Sequence, residues 1–303
     1  MKDITISVVI PTYNEEKCIE NCLNSVLSGS VAPLEIIVAD GGSTDNTVKI
    51  SRNMGVTVID NPHKHAAGGR NEGIKIAKGN VIAFIDADCI ADKHWLEEIK
   101  NTFENEDIDG LGTYIEPAEF ENKYERFWGI FSLKMIMTYG TEPYYVSQKT
   151  LNDAFITASC AYTKELLEKL NGFDNWFANN AEDMDICWRA LEAGAKLKYE
   201  PKAKIQAPSP TDLKGIKRKS FRNGLSSSKL QKRYGKFFNY DLNIYKALFS
   251  NLGKMFLVKD DAYLFVIEIL WHLAGKYYGS FKVGVINIWG GILCFQRKKL
   301  YLI

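Results

Sequence analysis

Short apolar runs alternate with helical patterns over the first part of the chain. Four runs of buried-type residues predict strands, at Ile4–Ile10, Leu34–Ala39, Val56–Ile59 and Val81–Ile85. Between and after them, apolar residues at helical spacing predict helices over Glu15–Leu27, Asp45–Met54, Ala67–Ala77 and Trp95–Phe103. Strands that alternate with helices in this way are typical of βαβ units and a mostly parallel sheet.

The pattern changes twice further along. From 110 to 200 it is less regular, with a predicted helix over Lys123–Tyr139, another from Asp183 to Ala193, and a short late strand at Lys196–Tyr199. From Lys214 to Lys236 the chain is basic. Two apolar, aromatic segments follow, Tyr263–Ala274 and Phe281–Phe295, and we expect both to be helical. Each is shorter than the roughly twenty residues needed to cross a bilayer.

Two carboxylates follow the most apolar strand. Val81–Ile85 runs directly into Asp86-Ala87-Asp88, and positions i and i+2 of a strand share one face. Both side chains can therefore converge just past the carboxyl end of the strand, where open α/β sheets bind ligands. Because two such carboxylates repel each other unless a cation lies between them, the spacing suggests a divalent metal that carries substrate phosphates. The alternative is a polar turn that happens to contain two Asp.

Other polar segments fall on the same edge of the predicted sheet. The first strand ends in Pro11–Glu15 and the second in Asp40–Ser43, where Gly41-Gly42 permits a tight turn beside a ligand. Asp40 could accept hydrogen bonds from a base or ribose, and the Tyr13 ring could stack on a flat ring. Taken singly, each segment is also compatible with an ordinary turn.

Two further segments carry candidate chemistry. Gly68-Gly69-Arg70-Asn71 opens the helix before the Asp86 strand, and its free N–H groups and guanidinium suit an anionic substrate. Its alternative is a glycine-rich helix start with a surface Arg. Glu182-Asp183 and Asp185 begin a later helix, either as dipole-favoured acidic residues or as a carboxylate base facing the metal site.

Together these segments resemble a known family. The motifs and their order are similar to those of the family 2 inverting glycosyltransferases of GT-A fold, over residues 4 to about 235. The segments that carry the resemblance are Val8–Glu15, Glu35–Asp45, Gly69–Asn71, Phe84–Asp88, and Gly172–Asp174 followed by Glu182-Asp183. The resemblance implies a mostly parallel, Rossmann-like nucleotide-binding sheet flanked by helices, with a C-terminal helical, apolar appendage.

The resemblance also implies roles for the matched positions. Asp183 would be the general base that deprotonates an acceptor hydroxyl, so that one displacement inverts the anomeric carbon. Asp88 would bind Mn²⁺ or Mg²⁺ at the diphosphate, with Asp86 beside it at the metal or ribose. The remaining positions would bind the nucleotide sugar: Pro11, Tyr13, Glu15, Asp40, Arg70 and Arg222. The family often places a metal-binding His after the late strand, where this chain has Gln206, so water or Gln206 would complete the metal shell.

The expected donor is a nucleotide-diphosphate sugar, with UDP as its nucleotide. The expected acceptor is a hydroxyl of a lipid-linked or membrane-proximal glycan. One alternative is a polyprenyl-phosphate glycosyltransferase with a phosphate acceptor. Another is a non-catalytic nucleotide-sugar-binding membrane protein. On this interpretation residues 1–213 form the catalytic domain, with a nucleotide-sugar half at 1–110 and an acceptor half at 111–213, and residues 214–303 form a membrane-associated region.

Composition and charge narrow the expected setting. The net charge of the 303 residues is +1, so nothing in the overall charge favours a nucleic-acid partner. The six cysteines are scattered, which is typical of reduced core thiols in a cytosolic protein. The chain enters the first strand at Ile4 without a basic segment followed by an apolar one, so we expect no signal peptide. With the basic segment and the aromatic C-terminal segments, this predicts a cytoplasmic protein, peripheral or monotopic on the inner face of the cell membrane. The alternative for the C-terminal segments is a helical hairpin packed on the catalytic domain or on a partner subunit.

Overall fold

The chain forms two compact units. The computed structural model describes residues 3–133, 141–149, 154–178, 181–235, 262–288, 291–296 and 299–302. The first unit comprises Met1–Ala118 and Met137–Pro208, and the second comprises Glu119–Ile136 and Ser209–Ile303. Every predicted site residue except Arg222 belongs to the first unit. The functional division at 213/214 stays a prediction.

The first unit is built on a nine-stranded mixed sheet. Its strands are β1 (Ile6–Thr12), β2 (Glu35–Asp40), β3 (Thr57–Asp60), β4 (Val81–Ile85), β5 (Ile90–Ala91), β6 (Gly110–Pro117), β7 (Tyr144–Val146), β8 (Ser159–Thr163) and β9 (Leu197–Ala207). Their order is β3-β2-β1-β4-β8-β6-β9-β5, and β7 also pairs with β9. The pairs β3-β2, β2-β1, β1-β4 and β6-β9 are parallel. The predicted α/β class is confirmed, and strands β1 to β4 pair in parallel as predicted.

Helices of the first unit cover this sheet. They are α1 (Ile19–Leu27), α2 (Thr47–Asn53), α3 (Ala66–Ile76), α4 (Trp95–Asn105), α6 (Lys164–Lys169) and α7 (Glu182–Glu192), while α5 (Lys123–Phe131) belongs to the second unit. Helix α1 buries one face, with Ile19, Cys22, Leu23 and Val26 inward at the spacing the sequence predicts. Strand β4 is buried at all five positions, as its unbroken apolar run predicts.

The strand order creates a crevice between β1 and β4. The chain passes from β1 to β2 on one side, whereas β4 lies on the other side of β1, so the winding reverses between these two strands. Ligands of open α/β sheets bind at this switch point, outside the carboxyl ends of the strands. Pro11–Glu15 follows from the end of β1 and Asp86–Asp88 from the end of β4. The topology therefore places both segments at the crevice.

Two strands differ from the sequence-based expectation. Ser159–Thr163, where the sequence pattern predicts no strand, forms β8, which lies antiparallel between β4 and β6. Its small and polar residues give no apolar run, yet four of its five positions are buried by the neighbouring strands. Strand β9 runs well beyond the predicted Lys196–Tyr199. Its register shifts opposite Thr113/Tyr114, an irregularity that accommodates Pro201 within the strand.

The second unit contains α5, two long helices and a small sheet. The long helices are α8 (Leu213–Tyr234) and α9 (Ala262–Val283), and the sheet has strands β10 (Val285–Ile288), β11 (Gly291–Gln296) and β12 (Lys299–Leu302). The helix expected over Phe281–Phe295 is therefore wrong beyond Val283. Gly284 has φ +70°, a conformation that ends the helix, and the β-branched residues after it favour strands.

The helices of the second unit were compared with their expected extents. The helix expected over Lys123–Tyr139 is observed as α5 up to Phe131, and positions 134–139 lie outside the described residues. Within the described ranges, no helix combines the length and the apolar character needed to cross a bilayer.

The contact between α3 and β1 yields a stability prediction. A Cβ on Gly73 would lie 2.4 Å from Cγ1 and 2.9 Å from Cγ2 of Val9. Gly73→Ala should therefore lower the free energy of unfolding by about 1–3 kcal/mol through overpacking, although alanine at a helix interior is otherwise favoured by about 1 kcal/mol. Urea denaturation measures the change.

The matched control is the double variant with Val9→Ala, which removes the two methyl groups that clash. We expect the double variant to be more stable than the sum of the two single effects. Strict additivity of the two substitutions would contradict the close packing of Gly73 on Val9.

Candidate functional site

The carboxylate of Asp40 organises the turn after β2. Its Oδ2 accepts hydrogen bonds from the backbone N–H groups of Gly42 (2.9 Å) and Ser43 (2.8 Å). Its Oδ1 accepts from the Thr12 hydroxyl at 3.2 Å and from the Ser43 hydroxyl at 2.5 Å. Asp40 is buried, and Gly42 has φ +88°, which favours glycine at this turn. Asp40 therefore links the ends of β1 and β2, and it fixes the shape of the turn that follows β2.

The loop after β1 is held against the loop after β2. Asn14, at φ 57°, donates its backbone N–H to the Ser43 hydroxyl and accepts from the Thr44 N–H, both at 2.8 Å. The backbone N–H of Glu15 donates to the Thr47 hydroxyl at 2.8 Å. These bonds leave the Tyr13 ring exposed (56%) above Gly41. The loop thus presents the flat Tyr13 ring beside the glycines of the next turn, which carry no side chains.

Three carboxylates lie close together at the mouth of the crevice. Asp88 is exposed, Asp86 is partly buried, and Glu15 is half-buried. The pKa of Glu15 is raised to about 7, first by burial and then by the charges of Asp88, Asp86 and Asp45. Negative charge is therefore concentrated in this cluster. Among the described residues, no three His, Cys, Asp or Glu side chains are arranged to hold a metal ion unaided.

Arg70 links this cluster to the helix that carries Asp183. Its Nη2 donates to Asp86 Oδ1 at 2.7 Å, and its Nη1 donates to Glu182 Oε1 at 3.0 Å. The side chain is almost fully buried, and its Cζ lies 5.7 Å from the centroid of the Phe173 ring. One buried guanidinium therefore holds one carboxylate from each side of the site, from segments 96 positions apart in the chain (86 and 182).

Asn71, the next residue of α3, fixes the segment before α7. Its side-chain amide pairs with the backbone of Phe173 in both directions, accepting from N–H and donating to C=O at 2.8 Å each. Arg189 holds the same segment from the other side by donating to the carbonyl oxygens of Leu170 and Gly172, both at 2.9 Å. A Cβ on Gly172, which has φ +66°, would come within 2.3 Å of the Asn71 amide oxygen. Only glycine fits this position without displacing Asn71.

Asp183 lies in the first turn of α7, where the free N–H groups of the helix favour a negative charge. The turn starts from Ala181 in the left-handed region, at φ 66°. The pKa of Asp183 is raised to about 7 by burial and then by the neighbouring charge of Glu182. A carboxyl group with this pKa can accept a proton near neutral pH, which is the property that a general base requires.

The structure brings most of the predicted residues to one edge of the sheet. Pro11, Tyr13, Glu15 and Asp40 lie at the ends of β1 and β2, and Asp86 and Asp88 follow β4. Arg70 was expected to approach the ribose or diphosphate. Its two terminal nitrogens instead bind the carboxylates of Asp86 and Glu182. Its contact with the nucleotide stays a prediction, as do the other ligand contacts.

Arg222 and Gln206 are both exposed. Arg222 lies on α8, in the second unit. Gln206 lies on β9 and pairs with Ile90 of β5, two positions after Asp88, and its expected part in the metal shell stays a prediction.

Sequence reasoning missed which residues position the others. Glu182 and Asn71 were noted only as members of their motifs, and Arg189 was not noted at all. The available signals were weak: Asn71 follows Arg70 directly, and Arg189 is four residues after the buried Asp185, with which it forms an ion pair at 2.7 Å. No local pattern reveals that Asn71 pairs with a backbone 102 positions away.

Comparison with known proteins identifies the family. The model of glycosyl transferase family 2 matches residues 7–170, more than half of the chain. The chain belongs to glycosyl transferase family 2. The match includes the loops after β1, β2 and β4 and the helix α3, and it ends before Asp183. The family relationship predicted from the motifs is confirmed.

Individual members of family 2 resemble the chain over most of its length. It is 34% identical over 209 residues to the glycosyltransferase AglE of Haloferax volcanii, covering 64% of each protein. It is 28% identical over 225 residues to the pre-mycofactocin glycosyltransferase of Mycobacterium tuberculosis, covering 72% of the chain. The match covers 46% of that relative, so the chain spans about half of its length.

Solved structures show the same fold. A mannosyltransferase from Pyrobaculum calidifontis, in complex with GDP-mannose and Mn²⁺, superposes with a TM-score of 0.66 at 16% identity. The match covers 93% of this chain and 88% of that one. The GT-A fold expected for this family 2 chain is confirmed.

The buried bridge yields a prediction for Arg70. Arg70→Met should leave the buried Glu182 carboxylate without its cation, and we expect the free energy of unfolding to fall by about 3 kcal/mol. Lys75→Met removes an exposed ion pair with Glu72 in the same helix and should cost less than about 0.5 kcal/mol. Urea denaturation of both variants tests the difference. Equal effects would contradict a structural bridge at Arg70.

Proposed function

We propose that the protein transfers a sugar from a nucleotide-diphosphate sugar to an acceptor hydroxyl, with inversion at the anomeric carbon. The observation that carries the proposal is the Arg70 bridge. Asp86 is part of the carboxylate cluster suited to the donor phosphates, and Glu182 adjoins the candidate base Asp183. Since one guanidinium binds both, a donor site and a base belong to one rigid arrangement.

The donor would bind at the crevice between β1 and β4. Tyr13 offers an exposed ring for stacking on the base, and the loops around Asp40 form a preformed turn beside it. Pro11 and Glu15 would line the base and ribose pocket, with Arg222 at the diphosphate. UDP is the nucleotide that the family resemblance favours. The structural neighbour from Pyrobaculum calidifontis contains GDP-mannose, so GDP-sugars belong in the same screen.

The carboxylates of Asp86 and Asp88 fit a divalent cation. They supply hard oxygen ligands, and negative charge is concentrated beside them: burial, and then the charges of Asp88 and Asp86, raise the pKa of Glu15. Two protein carboxylates are an ordinary donor set for Mg²⁺ or Mn²⁺ when substrate phosphates complete the shell. Such an ion, when bound, would neutralise charge on the departing diphosphate. The neighbouring mannosyltransferase structure contains Mn²⁺.

Asp183 would act as the general base. A carboxylate oxygen of Asp183 takes the proton of the acceptor hydroxyl as the hydroxyl oxygen bonds to the anomeric carbon. The bond from that carbon to the diphosphate oxygen breaks, and its electron pair leaves with the nucleotide. A single displacement from the opposite face inverts the configuration. Burial, and then the charge of the neighbouring Glu182 that Arg70 holds in place, raise the pKa of Asp183.

We propose that the acceptor group is a hydroxyl of a lipid-linked or membrane-proximal glycan. The protein would then act from the cytoplasm, peripheral or monotopic on the inner face of the cell membrane. Support comes from α8, in which eight Lys and Arg residues and no carboxylate occur within 22 residues. A basic helix of this kind is attracted to anionic headgroups.

A donor screen with matched variants tests the proposed activity. Purified protein with Mn²⁺ should be stabilised against thermal unfolding by one class of nucleotide sugar, and that sugar should be hydrolysed or transferred. Asp88→Asn should lose most of this activity, since a carboxylate ligand is removed, and should bind Mn²⁺ with the nucleotide more weakly in calorimetry. Asp92→Asn, a neighbouring partly exposed carboxylate, is the control. Full metal-dependent activity of Asp88→Ala would falsify the metal assignment.

The pH dependence tests the base. Because Asp183 must be ionised to accept a proton, kcat/KM should rise with pH through about 7 and level off above it. Asp183→Asn should lower kcat by about 10²–10⁴-fold while nucleotide binding is retained. Glu192→Gln, at the other end of α7, should leave the rate and the profile unchanged.

The Asp183→Asn variant and the donor screen also distinguish the alternative functions. A phosphate acceptor needs little base catalysis, so a mild effect of Asp183→Asn would favour a polyprenyl-phosphate glycosyltransferase instead. Binding of nucleotide sugars without turnover of any of them would favour a non-catalytic binding protein.

A further inference from the structure

Helix α9 is apolar on its outer side as well as on its inner side, where Leu264 and Phe265 are buried. Its outer side carries large side chains that are 40% to 86% exposed: Tyr263, Val266, Leu270, Trp271, Tyr277, Tyr278 and Phe281. The positions 263, 266, 270, 277 and 281 follow helical spacing along one stripe. The polar residues Glu268 and Ser280 are buried instead. A helix packed on a protein core in water normally hides its apolar stripe.

The packing of α8 on α9 fixes this orientation. A Cβ on Gly224 would lie 1.9 Å from the carbonyl oxygen of His272, and one on Gly275 would lie 2.0 Å from that of Phe221. A Cβ on Gly279 would meet the Ser228 hydroxyl at 2.1 Å. Backbones this close require glycine on the inner side of both helices. Rotating α9 to bury its apolar stripe against α8 would bring large side chains into a space that admits none.

Cations accompany the exposed aromatic rings. The Nζ atoms of three lysines lie over three of these rings: Lys123 over Tyr263 at 5.4 Å, Lys217 over Trp271 at 5.7 Å, and Lys282 over Tyr278 at 5.0 Å. Helix α8, packed along α9, adds a run of cations without a carboxylate. The exposed apolar stripe therefore has a positively charged border.

We infer that this face of α9, bordered by the cations of α5 and α8, docks on an anionic lipid bilayer. Aromatic rings with lysines beside them suit the boundary between headgroups and acyl chains, where the ring is buried and the ammonium meets phosphate. Helix α9 lies along the surface and does not cross it, since its inner side carries Glu268 and His272 packed on α8. A second copy of the chain is disfavoured as occupant, because pairing this face with itself would bring two basic borders together.

Vesicle flotation of the full chain tests the docking surface. The protein should float with vesicles of phosphatidylcholine and phosphatidylglycerol, bind phosphatidylcholine alone far more weakly, and be released in part by high salt. The triple variant Leu270→Ser, Tyr277→Ser and Phe281→Ser should reduce the partition coefficient by at least about tenfold, since three inserted side chains are lost. These side chains are exposed, so the thermal unfolding temperature should change little.

Matched controls use exposed residues of the first unit. Leu27→Ser, Leu34→Ser and Ile76→Ser remove three exposed apolar side chains and should leave flotation unchanged. Lys214→Glu with Lys282→Glu should weaken binding to anionic vesicles, whereas Lys49→Glu with Lys202→Glu should not.

Three results would overturn the proposal. One is equal flotation of the α9 variant and the wild type. Another is equal binding to neutral and anionic vesicles. The third is a stable dimer in solution that the α9 variant converts to a monomer, combined with no vesicle binding, since a second copy would then occupy the face. Nucleotide hydrolysis without membrane, measured in parallel, keeps the outcome separate from that of the proposed catalytic function.

Discussion

The site depends on one buried guanidinium. Arg70 is nearly inaccessible to solvent, and its two terminal nitrogens bind Asp86 after β4 and Glu182 at the start of α7. A buried cation with a single carboxylate partner would leave part of its charge and hydrogen-bonding capacity unmatched, so the arrangement is stable only with both carboxylates present. The distance between the crevice and α7 is thereby set by the size of one side chain.

Asn71 extends the same constraint along α3. Its amide forms hydrogen bonds with the backbone of Phe173. The Phe173 ring packs edge-on against Phe84 of β4, with centroids 5.3 Å apart, and it lies under the Arg70 guanidinium. Successive residues of one helix thus hold the segment before α7 and the first residue of α7 itself. Asp183 inherits its position from these contacts. Its raised pKa follows from the same arrangement, because burial and the neighbouring Glu182 both disfavour its charge.

The sequence predicted the parts that local patterns determine. The βαβ order, the buried strand β4 and the carboxylates that follow it are visible as apolar runs and spacing. Strand β8 gave no such signal, because Ser159–Thr163 is buried by its neighbours and not by its own apolar character. The role of Arg70 was also hidden. Its sequence context suggested a contact with an anionic substrate. Its partners are instead two carboxylates of the protein that only the tertiary structure brings together.

Inversion at the anomeric carbon is expected if one base on α7 and one donor site at the crevice carry out a single displacement. Proton NMR can follow the sugar first released from the preferred nucleotide sugar, with water as acceptor and a reading before mutarotation. We expect the first-formed sugar to have the anomeric configuration opposite to that of the donor. A first-formed sugar with the configuration of the donor would contradict a single displacement.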